Sequence, residues 1–241
     1  SWKGLSLNYA SVLQNWPGRE AETRTTLQES SAPRAVGSAV EWSSPRLKVA
    51  GRWEADAGPI KRILLESSAG KIEWHCLQPR ARAEIRVGEN VRLVGLGYVE
   101  QLTMTIPPWR LPFEELRWGR FLSAEDSLVW IDWRGAHPLN LTFHNGALAE
   151  HASLADDRLA AGELSLALDC GTVLREGTLA ETALNMIPGI DRLFPFRILR
   201  AHERKWLSHG VLKKPAAEPS TGWAIHEVVR WPRQKKRGRG D

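Results

Sequence analysis

Apolar and polar residues alternate with a period of two along most of the chain, and this pattern predicts strands. The clearest case is Ala81 to Val87. Ala81, Ala83, Ile85 and Val87 share one side, and Arg82, Glu84 and Arg86 the other. Lys61–Ser67 and Lys71–Gln78 read as two strands joined by a turn at Ser68-Ala69-Gly70, and Gly88-Glu89-Asn90 turns the chain into a further strand from Val91 to Ile106. Prolines 107, 108 and 112 then exclude a central strand. Leu116–Ser123, Ser127–Trp133, Leu139–Asn145, Glu163–Asp169, Arg175–Leu179, Ile198–Leu207 and Gly222–Trp231 are further strands, with a loop over Lys213–Thr221. Short helices are expected over Glu20–Ser30 and Glu181–Ile187, the second ended by Pro188-Gly189. Many short strands separated by turn residues predict an all-β barrel or sandwich.

Composition narrows the function classes. The chain has 241 residues and a net charge of +5. The stretch Arg230–Asp241 carries six basic residues and one acid, so it accounts for the whole excess and the rest is near neutral. The tail is expected to be a solvated, disordered end. No helix-turn-helix, RNA-recognition or zinc-finger pattern points to a specific nucleic-acid partner. Two cysteines, Cys76 and Cys170, lie far apart, which excludes a disulfide scaffold and a cysteine-rich zinc site. No HExxH or HxH pair suggests a metal, and neither a phosphate-binding loop nor a serine-hydrolase elbow is present. Without a long apolar run or a signal-peptide pattern, a cytoplasmic chain with no transmembrane segment is the default expectation. The sequence is silent on oligomeric state.

Twelve tryptophans against two tyrosines and five phenylalanines are spread through the chain. Large rings on short strands suit either a packed core or an apolar cavity. Acids on the same strands are the candidate chemistry. On Val91–Ile106, one face carries Tyr98, Glu100, Leu102, Met104 and Ile106, so Glu100 falls in an apolar row. A desolvated carboxyl group is expected to hold its proton more tightly, as a general acid must, although a structural pair would serve equally. Glu227 sits in a similar row between Trp223, Ile225, Val229 and Trp231, and Asp132 shares a face with Leu128 and Trp130. Arg117 and Arg120 have opposite parity, so only one can point inward to meet Glu100 or Asp132.

Gly97-Tyr98-Val99-Glu100, then Leu116-Arg117-Trp118-Gly119-Arg120, then Ser127–Asp132 resemble the lipocalin-like carotenoid 1,2-hydratase (hydroxyneurosporene synthase) and AttH superfamily, which also includes lipocalin-like cyclases and Diels–Alderases. Ile72–Pro79 and Gly222–Glu227 are similar to flanking strands there, so the resemblance covers about residues 60–135 and 198–231. Of that family's Gly-Tyr-His-Asp-His-Asn-Trp-Gly signature only Gly97 and Tyr98 are kept. Glu100 stands where its Asp would be, and Val99 and Gln101 replace both histidines, which argues against carotenoid hydration.

The resemblance implies two lipocalin-like β-barrel or sandwich domains around an apolar cleft, and no cofactor. The expected division is a reduced N-terminal β-domain at 1–106, a C-terminal lipocalin-like domain at 107–232 and a basic tail at 233–241. The expected activity is that of a cofactor-independent lyase, isomerase or cyclase acting on a terpenoid- or polyketide-like molecule. Glu100, Asp132, Tyr98 and Arg120 are its candidate catalytic residues, and Trp74, Met104, Trp118, Trp130, Trp223 and Glu227 its candidate binding residues. The alternative is a carrier with the same cavity and no chemistry.

Overall fold

The computed structural model describes residues 8–27, 31–182 and 195–232, of which 66% are strand and 3% helix. The tail from 233 and the expected helix beyond Thr182 lie outside these residues. The first element is a hairpin of β1 (Tyr9–Gln14) and β2 (Glu22–Leu27). As far as Leu27 it replaces the helix expected over Glu20–Ser30, because Thr23, Thr25 and Thr26 favour extended backbone, and residues 28–30 of that expectation lie outside the described residues. The Arg24 guanidinium ties the hairpin to the body by donating to the Leu47 carbonyl at 2.9 Å.

A six-stranded antiparallel sheet follows. It contains β3 (Arg34–Val36), β4 (Ala39–Ser44), β5 (Val49–Ala55), β6 (Ile60–Ser67), β7 (Gly70–Val87) and β8 (Val91–Met104). β7 is its spine, pairing β6 and β5 along one edge and β8 along the other. The two strands expected at Lys71–Gln78 and Ala81–Val87 are this single strand, which runs through Pro79. The missing N–H of Pro79 is accommodated by register shifts against β8 between Cys76 and Ala81.

A single 3₁₀ turn, Pro108–Arg110, leads into the second sheet. Its ten strands are β9 (Phe113–Ser123), β10 (Ser127–Gly135), β11 (Leu139–His144), β12 (Ala147–Ala149), β13 (Ser153–Leu154), β14 (Arg158–Ala161), β15 (Leu164–Leu168), β16 (Thr172–Thr178), β17 (His202–Lys213) and β18 (Ser220–Arg230). The order is β12-β11-β10-β9-β18-β17-β15-β14-β13, with β16 also on β17. The strand expected from Ile198 begins instead as a helical turn, α1 (Phe196–Leu199), with Pro195 as its N-cap, and β17 starts at His202.

The second sheet curls, and its two faces bury different cores. On the concave face, Phe121, Leu128 and Trp130 pack with Leu159, Leu166, Leu212 and Ala224. On the other face, Val129, Ile131 and Trp133 pack with Ile72, Trp74 and Cys76 of the first sheet. Each large side chain so buried contributes roughly 1.5–3 kcal/mol. Gly119 makes one close approach possible, because a Cβ there would meet the Trp130 ring and the His226 Cβ.

Candidate functional site

The alternation of β9, β10 and β18 sorts the candidate residues onto the two faces of the second sheet. Register pairs Arg120 with Ile225 and Trp118 with Glu227, on the face that meets the first sheet. Arg117 and Asp132 face each other across β9 and β10, on the concave side. Across the gap between the sheets, β8 brings Tyr98 and Glu100 beside Trp74 and Cys76, since Glu100 is the ladder partner of Cys76.

Glu100 is the hub of the inter-sheet cluster. Its Oε2 accepts from the Trp74 indole N–H at 2.6 Å and from the Tyr98 hydroxyl at 2.8 Å. Oε1 accepts from no described residue. Burial, the Glu100 charge and Cys76 push the Tyr98 phenol well above its usual value, so it remains a proton donor to its neighbours. Burial likewise raises the Cys76 thiol to about 12, which keeps it a thiol.

The Arg120 guanidinium carbon lies over the Tyr98 ring at 4.8 Å and over the Trp118 ring at 5.5 Å. The two rings meet edge to face, 6.2 Å apart. Burial lowers Arg120 from its ordinary value, opposed by Tyr98, Glu100 and Glu227. Glu227 is paired with the Lys205 ammonium at 2.6 Å. Further along the same strands the cluster opens to solvent. Leu102 is 57% exposed, Met104 is also exposed, and Trp223 is 58% exposed with His209 edge-on to it.

The candidate residues therefore divide. Glu100, Tyr98, Arg120, Trp118, Trp74 and Glu227 come together, and Met104 and Trp223 lie exposed along the same strands. Trp74 is buried and serves Glu100 as a donor. Asp132 and Trp130 do not join them, because β10 turns both to the concave side. There Asp132 accepts from Arg134 at 2.8 Å and from Asn140 at 3.1 Å. Arg117 is held by Glu115 and Asp156, both at 2.6 Å. In the same interior Ser208 Oγ and His226 Nε2 share a hydrogen bond of 2.8 Å, and Trp206 stacks on the imidazole. Burial lowers His226 to about 4.

Lys205 and Cys76 were not legible as site residues, since each reaches the cluster only through strand register. A cavity of about 590 Å³ lies elsewhere, lined by Trp42 and by charged residues of the first sheet that include Arg34, Glu41, Arg52 and Glu84. None of the candidate residues lines it. Among the described residues no group of His, Cys, Asp and Glu is arranged to hold a metal, and no helix is long and apolar enough to cross a membrane.

Two antiparallel sheets, the second curled into a half-barrel, with charged and aromatic side chains between them, define an all-β lipocalin-like fold. Kievitone hydratase from Nectria haematococca is similar over 93% of this chain and 79% of its own, with a TM-score of 0.55 and 12% identity. An AttH-like protein of Nitrosomonas europaea is similar over 91% and 81%, with a TM-score of 0.56 and 8% identity. CghA is similar over 92% and 79%, with a TM-score of 0.51 and 10% identity. No protein-family model matches the chain, and no curated protein matches it by sequence.

Proposed function

We propose that the chain is a cofactor-independent lyase, isomerase or cyclase acting by acid/base chemistry on a hydrophobic, terpenoid- or polyketide-like molecule between the two sheets. The observation that carries this reading is the Glu100 carboxylate, oriented through one oxygen by Trp74 and Tyr98, with the half-buried Arg120 guanidinium over the Tyr98 ring. A group held by two donors to one oxygen has its other oxygen aimed and available, which is what positioned proton transfer requires. Trp118 offers a ring at the cluster, and Leu102, Met104 and Trp223 offer apolar surface along the same strands, suited to a ligand with little polarity of its own. The fold shared with a hydratase supports a catalytic use of this scaffold. In this reading Asp132, paired on the other face, has no part in the proton transfer.

A carrier without chemistry is the second reading, favoured by Val99 and Gln101 at the positions of the family's two signature histidines. Titrating the protein with terpenoids and aromatic polyketides, reading tryptophan emission and then analysing each bound compound for conversion, tests both. Saturable binding with a new product supports the enzyme, and binding without conversion supports the carrier. A flat response from folded protein across the panel overturns both.

A further inference from the structure

Arg120 is the unusual member of the inter-sheet cluster. It accepts company from two ring faces, Tyr98 and Trp118, yet it makes no hydrogen bond or ion pair with any described residue. Attraction to a ring face needs no oxygen acceptor, so its five N–H donors remain unspent. The carboxylates whose charge it feels are engaged with other donors. Glu100 Oε2 takes Trp74 and Tyr98, and Glu227 Oε2 takes Lys205. The contrast with Arg117, three residues earlier on β9, is direct: Arg117 spends its donors on Glu115 and Asp156. The residue is half-buried and its donors meet no acceptor among the described residues, so an oxygen of a ligand would supply a partner that the fold does not.

We infer that Arg120 is the receptor for a ligand oxygen that carries or develops negative charge, and that the substrate is therefore an apolar carbonyl compound. The inference rests on the reading of the inter-sheet cluster as the reaction site. It specifies a step. The Glu100 carboxylate takes a proton from the carbon next to the carbonyl. The C–H electron pair becomes the carbon–carbon double bond of an enolate, and the carbonyl π pair moves onto oxygen, where the Arg120 N–H groups meet it. Return of the proton from the Glu100 acid to the same or a conjugated carbon re-forms the carbonyl and restores the carboxylate. No further reactant is consumed.

The test is calorimetric titration at pH 7 with 2-naphthoate, which presents an anionic oxygen on an apolar ring system, and with 2-naphthamide, which has nearly the same shape and no charge. The wild-type protein is expected to bind the carboxylate at least about tenfold more tightly, as hydrogen bonds to a charged partner exceed neutral ones by that order. Arg120→Gln should erase the difference by weakening the carboxylate alone, and Arg120→Lys, which keeps the charge without the fork, should restore part of it. Melting curves of both variants establish that they are folded, and the lysine variant retains the cation should the glutamine variant fail. Equal affinity for the two probes in the wild type, or equal weakening of both by Arg120→Gln, overturns the inference and leaves an apolar binding site standing. Failure of both probes to bind the wild type overturns the site reading together with it.

Discussion

The two faces of the second sheet carry charge in different ways. On the concave face three arginines are answered. Arg117 meets Glu115 and Asp156, Arg134 meets Asp132 and Glu115, and Arg230 meets Glu115. On the face toward the first sheet, Arg120 has rings beside it and no acceptor, while Glu100 has one oxygen held and one open. Both faces contain acids among tryptophans, so composition does not separate them. Pairing does: a closed network rigidifies a barrel mouth, and an incomplete one leaves capacity for a ligand.

The largest expected effect falls on the open face. Glu100→Gln retains an oxygen able to accept from Trp74 and Tyr98 but cannot carry a proton, so turnover on an identified substrate should fall about 10²–10⁴-fold with little change in melting. Asp132→Asn should do the reverse, lowering stability through its lost pair with Arg134 while turnover holds. A turnover loss in Asp132→Asn equal to that of Glu100→Gln would erase the distinction between the faces.

Next is Arg117→Met on the closed face. It strands Glu115 and Asp156 in part, and urea unfolding should report a loss of about 3 kcal/mol. A similar loss in Arg120→Met would mean that Arg120 is structural too.

The concave face should also dominate the pH dependence. The folded-state value of His226, about 4, lies below the 6.5 of an ordinary histidine, so the unfolded chain binds the proton more readily. The stability this group contributes is complete above pH 6.5 and is lost as the pH falls toward 4. Asp126 adds to this at lower pH. It is held well below its ordinary value despite burial, by Lys214, Ser220 and His144, and its contribution is lost as the pH falls below the usual carboxylate range. Denaturant midpoints measured from pH 7 to 4 should fall in the wild type and fall less in His226→Phe. Parallel curves would remove His226 as the cause.

The smallest effect expected is steric. Gly119→Ala places a methyl group against Trp130 and His226, and should destabilise by about 1–3 kcal/mol without touching the outer cluster. Thermal melting and ligand affinity together check this, and a large affinity change would show the two faces to be coupled.

Much of this was legible in the sequence. The period-two pattern located most strands, the prolines at 107, 108 and 112 marked the passage between the sheets, and parity alone put Arg117 and Arg120 on opposite sides. Parity also placed Glu100 with Tyr98 and Asp132 with Trp130. The sequence misled where local preference and tertiary pairing disagreed. A polar stretch at Glu22–Leu27 became a strand because β1 offered it a partner. Pro79 entered a strand because bulges absorbed its missing donor.

Alternation is a local property, so the chain by itself determined which residues share a face and that the fold is all-β. It could not say which face meets which sheet, because that depends on how a ten-stranded sheet curls and on the long-range order that sets β18 between β9 and β17. Only that packing decided that Trp74 and Tyr98 both reach one oxygen of Glu100, that Lys205 takes Glu227, and that Asp132 lies behind the sheet from all of them. Hydrogen bonds between residues far apart in the chain are set by register and curvature, and those are settled by the whole buried surface at once.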